Sequence, residues 1–274
     1  MGKIFNALER HNKEKSIKAE RLPIGEPENL TKTGPRSTLA RELIIQNGFS
    51  PKLVVLSAPE SLEAENFKIL RSQILFPKDG ERPQTIMVTS AFPGEGKTFV
   101  AANLAVSLAL GVDEYVLLVD CDLRNPKLHE MLGYSNLGGL HEYLTSRRKL
   151  PDLLIRTKIE KLSLLTAGRS PANPAELLSS AMMKEFLKEV KGRYQDRFIV
   201  IDATPSQVTA EANVLAKYVD RIIFVVMAQK TPRETIQRSI ETLGKKKILG
   251  IVFNGYTPSH KGYGKYYDKY YKKK

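Results

Sequence analysis

The stretch AFPGEGKT at residues 91–98 predicts a loop that wraps around phosphate groups. Gly94 and Gly96 allow the backbone to curl, so that its N–H groups can point inward at phosphate oxygens. Lys97 would bring a cation to the β- and γ-phosphates of a nucleotide, and the hydroxyl of Thr98 could ligate Mg²⁺. These residue types at this spacing therefore predict a nucleotide-binding P-loop.

The segments on both sides of the loop agree with this prediction. The run TIMVTS at 85–90 precedes it as a strand, and FVAANLAVSLAL at 99–110 follows it as a helix whose positive end would face the phosphates. Ala91 stands where the motif usually begins with glycine, a departure that some P-loop families share. The predicted nucleotide-binding residues are Gly94, Glu95, Gly96, Lys97, Thr98 and Phe99.

Carboxylates follow two further apolar runs. Asp120 and Asp122 lie in LLVDCDLRNP at 117–126, and Asp202 lies in FIVIDATP at 198–205. Side chains two apart on an extended segment point the same way, so Asp120 and Asp122 would face one site. Because ligands in open parallel sheets bind beyond the carboxyl ends of strands, we expect the aspartates and the P-loop at one edge. A lone aspartate there is often only a turn or capping residue, but three in a P-loop chain favour metal and nucleotide ligands.

Apolar strands and helical patterns alternate through the rest of the chain. Helices are predicted at 62–76 and from 173 to 190, where Asn173 is the expected N-cap. Short, continuously apolar strands that alternate with helices predict an α/β fold, with a mostly parallel sheet and helices on both faces. The predicted strands are 85–90, 115–120, 162–167, 198–202, 221–228 and 248–254.

Composition limits the domain organisation and the compartment. The 274 residues can bury a sizeable core, and the single cysteine, Cys121, excludes an internal disulfide. No apolar run is long enough to span a membrane and no signal peptide is recognisable, so we expect a cytoplasmic protein. We predict a loose N-terminal extension at 1–50, a P-loop domain at 51–254 and a C-terminal tail at 255–274.

The tail is rich in lysine and tyrosine. The chain has a formal net charge of +13, and its last thirty residues carry nine lysines against one acid, Asp268. Such a tail indicates binding to nucleic acid, anionic lipid or an acidic protein surface, unless it is only a solvated terminus.

The motifs SAFPGEGKT, LLVDCDLRNP and FIVIDATP resemble the Walker A, A′ and B motifs of bacterial tyrosine kinases. NPAELLSS at 173–180 is similar to a further stretch of that family, and the resemblance runs from about residue 60 to the C-terminus. The start MGKIFNALER resembles stand-alone autokinases of exopolysaccharide loci of the PEP-CTERM/exosortase type. The resemblance implies a P-loop fold, ATP and Mg²⁺ as cofactors, and protein-tyrosine kinase activity. It also implies catalytic roles for Lys97, Asp120 and Asp122, one aspartate being the general base, and a Mg²⁺ site of Thr98, Asp120 and Asp202.

The same resemblance implies a role for the tail, because family members phosphorylate a C-terminal tyrosine cluster on a neighbouring subunit. The seventeen residues from Gly255 to Tyr271 could span up to roughly 55 Å, which is enough to reach a neighbour's site. Each phosphate would add about −1.5 to −2 charges. Our hypothesis is that the basic tail is drawn to a carboxylate-lined site and that phosphorylation releases it. The matching residues are Tyr263, Tyr266, Tyr267, Tyr270 and Tyr271, whereas Tyr256 lies close to the last strand.

The resemblance also implies partners. Family members build rings through an E-x-x-R-x-x-R helix, which Glu65, Lys68 and Arg71 match here, although Lys68 replaces a bidentate arginine by a point charge. Without the family, this helix would be interpreted as an amphipathic surface helix with ion pairs along it. Since the chain has no spanning segment, the implied adaptor is a separate transmembrane polysaccharide co-polymerase that recruits the kinase to the inner face of the plasma membrane. A cognate tyrosine phosphatase is implied as well.

Two other functions stay open on the sequence alone. A partitioning or cell-division ATPase of the same P-loop class would use a basic tail to hold DNA or membrane, but such relatives carry an early lysine where Phe92 and Pro93 stand. A nucleotide-gated scaffold would bind single-stranded nucleic acid through its lysines and tyrosines, the less expected partner. We predict the autokinase, acting on its tail in trans and regulating exopolysaccharide polymerisation and export. Asn254 is the candidate for the adenine pocket.

Overall fold

The computed structural model describes residues 48–77, 81–193 and 197–256. These ranges contain the P-loop, the three aspartates and the last predicted strand. Most of the predicted N-terminal extension and the five tail tyrosines from Tyr263 to Tyr271 lie outside them.

Strands and helices alternate along the described chain. The strands are β1 (Thr85–Ser90), β2 (Tyr115–Asp120), β3 (Ile155–Arg156), β4 (Leu162–Leu165), β5 (Arg197–Asp202), β6 (Arg221–Met227) and β7 (Ile248–Asn254). The helices are α1 (Val54–Ser57), α2 (Leu62–Leu75), α3 (Lys97–Ala109), α4 (Leu128–Leu132), α5 (Leu140–Ser146), α6 (Leu150–Leu153), α7 (Pro174–Ser179), α8 (Ala181–Arg193), α9 (Glu211–Leu215) and α10 (Arg233–Leu243). A 3₁₀ turn, Lys245–Lys247, leads into β7.

The strands form one sheet in the order β3–β4–β2–β5–β1–β6–β7. Short β3 pairs antiparallel with β4, and all other neighbouring pairs in the described part of the chain are parallel. Parallel neighbours need crossover connections, which the helices between the strands provide. The predicted α/β fold with a mostly parallel sheet is confirmed.

Helices cover both faces of the sheet, which explains why its central strands are apolar along their whole length. On one face, Val100 and Leu104 of α3 pack with Ile86 and Val88 of β1. On the other face, Phe186 of α8 belongs to a second core with alternate residues of the same strands. All six residues of β1 are buried, so a side chain finds packed neighbours whichever way it points.

The sheet order places the predicted site at the carboxyl ends of the central strands. The P-loop follows β1, and β1 lies beside β5, which lies beside β2. Asp120 and Asp202 end β2 and β5 and are direct partners in the register of this pair. The backbone N–H of Cys121 donates to the carbonyl of Asp202 at 2.9 Å, which extends the pairing past both strand ends. Asp120 and Asp202, 82 residues apart in the sequence, are thus held next to the P-loop.

One predicted strand is shorter than expected. The run at 162–167 is a strand only to Leu165, because the next two carbonyls bond elsewhere. Thr166 and Ala167 accept hydrogen bonds from the N–H groups of Leu140 and His141, at 2.8 and 2.9 Å. These contacts tie the end of β4 to the start of α5 and leave no ladder for a longer strand. The two-residue β3 carries too short a pattern to be predicted.

The helix predicted from 173 to 190 is in fact two helices, α7 and α8. The break falls at Ser180, whose backbone is extended at φ −67° and ψ 162°. Its hydroxyl accepts a hydrogen bond from the N–H of Met183 at 3.3 Å, as expected of an N-cap for the second helix. Asn173 is the N-cap residue of α7, as predicted, but its side chain makes no capping hydrogen bond.

Candidate active site

The P-loop backbone depends on two glycines in the left-handed region. Gly94 has φ 82° and Gly96 has φ 93°, values that L-residues with a Cβ rarely adopt. A side chain at Gly96 would also collide with the amide of Asn254 at the end of β7. Helix α3 begins directly afterwards at Lys97, so its free N–H groups face the loop. The loop therefore has the curled backbone and the following helix that a phosphate-binding loop needs.

Two segments on the same side of β1, the loop after β6 and the end of β7, hold the P-loop. The buried carboxylate of Glu95 accepts from the N–H of Phe92 at 2.8 Å and from the hydroxyl of Thr231, in the loop after β6. The amide of Asn254 donates to the carbonyl of Glu95 at 2.9 Å. Glu95 was predicted as a nucleotide-binding residue, and its carboxylate and carbonyl are engaged in these contacts. Its backbone N–H is the group left for a phosphate oxygen.

Lys97 is surrounded by the predicted carboxylates. Its Nζ lies 2.7 Å from Asp122 Oδ2 and 4.0 Å from Asp202 Oδ1. Burial disfavours the charge of Lys97, but Asp202 and Asp122 outweigh it and raise the pKa of the ammonium. Lys97 therefore stays protonated at neutral pH and can bind phosphate.

Asp120 and Asp122 have different surroundings. Asp120 is fully buried, and its two oxygens accept from the N–H groups of Asp122 and Leu128 at 3.1 and 3.2 Å. Burial and the nearby Asp202 raise the pKa of Asp120 well above its usual range. Asp122 lines the open cleft described below, and its Oδ1 accepts from the N–H of Asn125 at 3.1 Å. Of the two, Asp122 is the carboxylate that a substrate in the cleft can reach.

The oxygen atoms near Lys97 are suited to Mg²⁺. Oδ1 of Asp202 is buried and has no hydrogen-bond partner among the described residues, and the Thr98 hydroxyl lies 3.4 Å from Lys97 Nζ. Mg²⁺ usually takes one or two protein oxygens and completes its shell with water and substrate phosphates. No group of three or more acidic, histidine or cysteine side chains in the described ranges forms a metal cage. The residues present therefore fit a cation shared with phosphate rather than a closed metal site.

A cleft of about 690 Å³ opens over the P-loop. Lys97, Thr98 and Asp122 lie along its inner part, and Lys52, Arg124 and Lys127 also line it. Nε of Arg124 lies 2.7 Å from Oε1 of Glu211, whose side chain is completely buried. We did not predict Lys52, Arg124, Lys127 or Glu211 as site residues. A lone glutamate or lysine carries no motif, and only the folded chain brings these four together.

A second cavity of about 300 Å³ adjoins the P-loop helix. Phe99, Val252, Asn254 and Tyr256 line it together with residues of α2. Phe99 was predicted to bind nucleotide and Asn254 to mark the adenine pocket, and both border this cavity. Asn254 also donates to the carbonyl of Glu95, so this cavity lies directly beside the P-loop.

The predicted ring residues on α2 make contacts within the subunit. Lys68 Nζ lies 3.0 Å from Glu65 Oε2, an ion pair one turn apart on the helix. Arg71 donates through Nη1 to the carbonyl of Ser107 in α3 at 2.8 Å. The Glu65–Lys68 pair is partly exposed, whereas Arg71 also joins α2 to α3.

Comparisons with known proteins identify the family of this chain. A family model of ParA type, described as NUBPL iron-transfer P-loop NTPase, matches residues 82–270. The tyrosine-protein kinase YwqD of Bacillus subtilis is 36% identical over 217 residues, which cover 78% of this chain and 90% of YwqD. The chain belongs to the bacterial tyrosine kinases. As a member of this family it is a protein-tyrosine kinase with a nucleotide-binding P-loop fold.

Solved structures place this bacterial tyrosine kinase in the same family. The chimeric protein CapA2B2 has a TM-score of 0.70 and 32% identity, over 77% of this chain and 92% of the other. The kinase domain of the Escherichia coli tyrosine kinase ETK has a TM-score of 0.69 and 25% identity, over 78% and 85% of the two chains. Within the described ranges of this kinase, no helix is long and apolar enough to cross a membrane.

Proposed function

We propose that this kinase uses ATP and Mg²⁺ to phosphorylate the C-terminal tyrosines of a neighbouring copy. The observation that carries the proposal is the position of Asn254, the last residue of β7. Its amide contacts the P-loop at Glu95, so the segment that follows β7 leaves the sheet beside the P-loop. The proposed acceptors are Tyr263, Tyr266, Tyr267, Tyr270 and Tyr271.

The residues around the cleft have separable roles in phosphoryl transfer. P-loop N–H groups and Lys97 bind the β- and γ-phosphates, and the cavity beside Phe99 and Asn254 takes the base. Thr98 and Asp202 would hold Mg²⁺, which neutralises phosphate charge when bound. Asp120 would act mainly by holding the Asp122 loop through its two backbone hydrogen bonds.

Asp122 is the proposed general base. Its carboxylate lines the cleft next to Lys97, where a tyrosine hydroxyl can approach the γ-phosphate. The phenolic oxygen forms the new bond to phosphorus, the bond from phosphorus to the β–γ bridging oxygen breaks, and ADP leaves. The phenolic proton passes to Asp122. A free tyrosine has a pKa near 10, so an adjacent carboxylate acceptor is needed at neutral pH.

Transfer in trans fits an assembly of several subunits. The partly exposed Glu65–Lys68 pair on α2 can be reached by a neighbour, with Arg71 setting the helix against α3. The proposed setting is a ring in the cytoplasm, recruited to the inner face of the plasma membrane by a separate transmembrane polysaccharide co-polymerase. A cognate phosphatase would reverse the modification, and the cycle would regulate exopolysaccharide polymerisation and export. Phosphorylation should loosen the ring, because at about −1.5 to −2 charges per tyrosine the fully phosphorylated tail becomes anionic and is repelled by the nucleotide phosphates and aspartates of the site. Light scattering of the two forms tests this last point, and equal assembly sizes would exclude it.

The test is anti-phosphotyrosine blotting after incubation with ATP and Mg²⁺. It compares the wild type, Lys97→Met, and a tail variant in which the five tyrosines are changed to phenylalanine. We expect each variant alone to lose the signal, and a mixture of the two to regain it on the Lys97→Met chain. The assay is repeated with cells of the source organism, so that an adaptor is present. ATP hydrolysis without phosphotyrosine in either setting would instead indicate an ATPase of the partitioning type.

A further inference from the structure

The outer part of the cleft is positively charged. Three exposed cations line it, Lys52, Arg124 and Lys127. Away from the phosphate site, the acidic lining residue is Glu130. The three aspartates beside the P-loop lie deeper in the protein. Asp120, Asp122 and Asp202 are only 0%, 5% and 1% exposed. A substrate that enters the cleft therefore meets these cations before it reaches the aspartates.

Arg124 is the most strongly positioned of these cations. Its Nε donates to Oε1 of Glu211 at 2.7 Å, while 54% of its side chain stays exposed at the cleft. Burial alone would raise the pKa of Glu211, but its own backbone N–H and Arg124 outweigh this and lower the pKa. Glu211 thus remains a carboxylate at neutral pH and holds one edge of the guanidinium. The remaining N–H groups form a preoriented fork that suits a carboxylate or phosphate.

The proposed substrate segment contains a matching anion. In the last thirty residues, Asp268 is the one acid, and it directly follows Tyr267 in KYYDKYY. A phosphate on Tyr267 would in turn place a new anion directly after Tyr266. Tyr266, Tyr270 and Tyr271 each have a lysine as one direct neighbour, which the cationic cleft should disfavour, and Tyr263 lies between two glycines.

We propose that Arg124, with Lys52 and Lys127, forms an anion subsite that selects acceptor tyrosines next to a negative charge. The anion is the carboxylate of Asp268 at first, and phosphotyrosine afterwards. The inference rests on the proposed phosphorylation of the tail and adds its order. Tyr267 is modified first, and Tyr266 then becomes a preferred acceptor. Glu211 is a positioning residue, because it acts through Arg124.

Peptide kinetics test this subsite. The enzyme is the full chain with the five tail tyrosines changed to phenylalanine, and the peptide is GKYYDKYYKKK, residues 264–274. Its partners are the Asp268→Asn peptide and the Asp268→Asn peptide carrying phosphotyrosine at 267. We expect kcat/KM to fall about tenfold for the plain Asp268→Asn peptide and to recover with phosphotyrosine, as expected for one charge-assisted contact.

Enzyme variants identify the residues that sense the charge. Arg124→Gln should make the kcat/KM values of the three peptides similar. The change should appear in the KM for peptide, while the KM for ATP stays unchanged. Glu211→Gln should do the same in part, and Arg124→Lys should partly restore the preference. Lys188→Gln, an exposed change on α8, serves as the matched control and should keep the full preference. A raised KM for ATP with an intact peptide preference would assign Arg124 to nucleotide binding and overturn the proposal.

The order of modification gives a readout that needs no variant of the cleft. Mass spectrometry of the wild-type chain at short times with ATP should find phosphate on Tyr267 before any other tail tyrosine. Equal early labelling of the five tyrosines, or equal kcat/KM for all peptides, would overturn the anion subsite and leave tail phosphorylation intact. If no peptide and no tail tyrosine is phosphorylated while ATP is hydrolysed, the proposed function fails and the subsite with it.

Discussion

Asn254 donates a hydrogen bond from its side-chain amide to the carbonyl of Glu95, across 159 residues of sequence and at 2.9 Å. The bond joins the end of the edge strand β7 to the phosphate loop between β1 and α3. It also requires glycine at 96, where any Cβ would meet the same amide. The point where the tail begins and the point where nucleotide phosphate binds are therefore one structural unit.

Asn254→Ala should weaken nucleotide binding through the P-loop. The loop would lose one of its two supports, a hydrogen bond worth about 1 kcal/mol, so the Kd for ATP should rise roughly fivefold. Calorimetry with ATP and with inorganic tripolyphosphate measures it, and exposed Gln237→Ala on α10 is the control. Tripolyphosphate binding at wild-type strength beside weakened ATP binding would mean that Asn254 contacts only the base.

Asp122→Asn should slow phosphoryl transfer without preventing ATP binding. The amide keeps the shape and can still accept from the N–H of Asn125, but it cannot take the tyrosine proton. A general base contributes about 10²- to 10⁴-fold, so the single-turnover rate at saturating ATP should fall within this range. Asp152→Asn, an exposed change on α6, is the matched control. A rate within threefold of the wild type would remove Asp122 from the role of base.

Asp220 should make stability depend on pH in the acid range. Its carboxylate accepts from the N–H groups of Gln84 and Thr85 at 3.1 and 2.8 Å and from Lys191 Nζ at 2.7 Å. Burial alone would raise the pKa of Asp220, but the hydrogen bonds from Lys191 and Thr85 outweigh it and lower the pKa. Because the folded pKa lies below the unfolded one, the stabilisation is complete above the ordinary aspartate pKa of about 4 and is lost below it.

The measurement for Asp220 is urea unfolding of the wild type and Asp220→Ala. The variant should lose about 2 kcal/mol of unfolding free energy at pH 7, because it leaves the backbone donors of β1 without their acceptor. The difference should shrink as the pH falls from about 4 toward 3. A gap of the same size at both pH values would mean that packing, and not the carboxylate, accounts for the loss.

Substitutions at Lys68 and Arg71 should distinguish effects on assembly size from effects on folding stability. Lys68→Ala breaks a partly exposed pair on one helix, so the unfolding free energy should change by less than about 0.5 kcal/mol while the assembly becomes smaller. Arg71→Ala removes the bond to Ser107 and should cost about 1 kcal/mol of stability as well. Light scattering and urea unfolding on the same samples distinguish the two effects. An unchanged assembly size in Lys68→Ala would exclude this pair from the subunit interface.

Local pattern was a good guide wherever one segment determined its own structure. Strands β1, β2 and β7 have the predicted bounds, because a continuously apolar run between polar ends has only a buried sheet position to occupy. The pattern predicted too long a strand at 166–167, because the carbonyls there accept hydrogen bonds from α5. It also predicted one helix across Ser180, where the serine caps a second helix. At 166–167 the partners lie in a distant helix, whereas at Ser180 the partner is Met183, three residues further along the same run.

The sequence by itself determined the chemistry of the site, because the P-loop and the strand-end aspartates are written in contiguous motifs. Only the tertiary structure decided that β2, β5 and β1 are adjacent, and this order brings Asp120, Asp202 and Lys97 together. It also decided that Asp122 faces the cleft while Asp120 is buried, and that Glu211 holds Arg124 from 87 residues away. The physical reason is that burial and hydrogen-bond partners depend on which segments pack together. A motif specifies a residue's chemistry but not its neighbours.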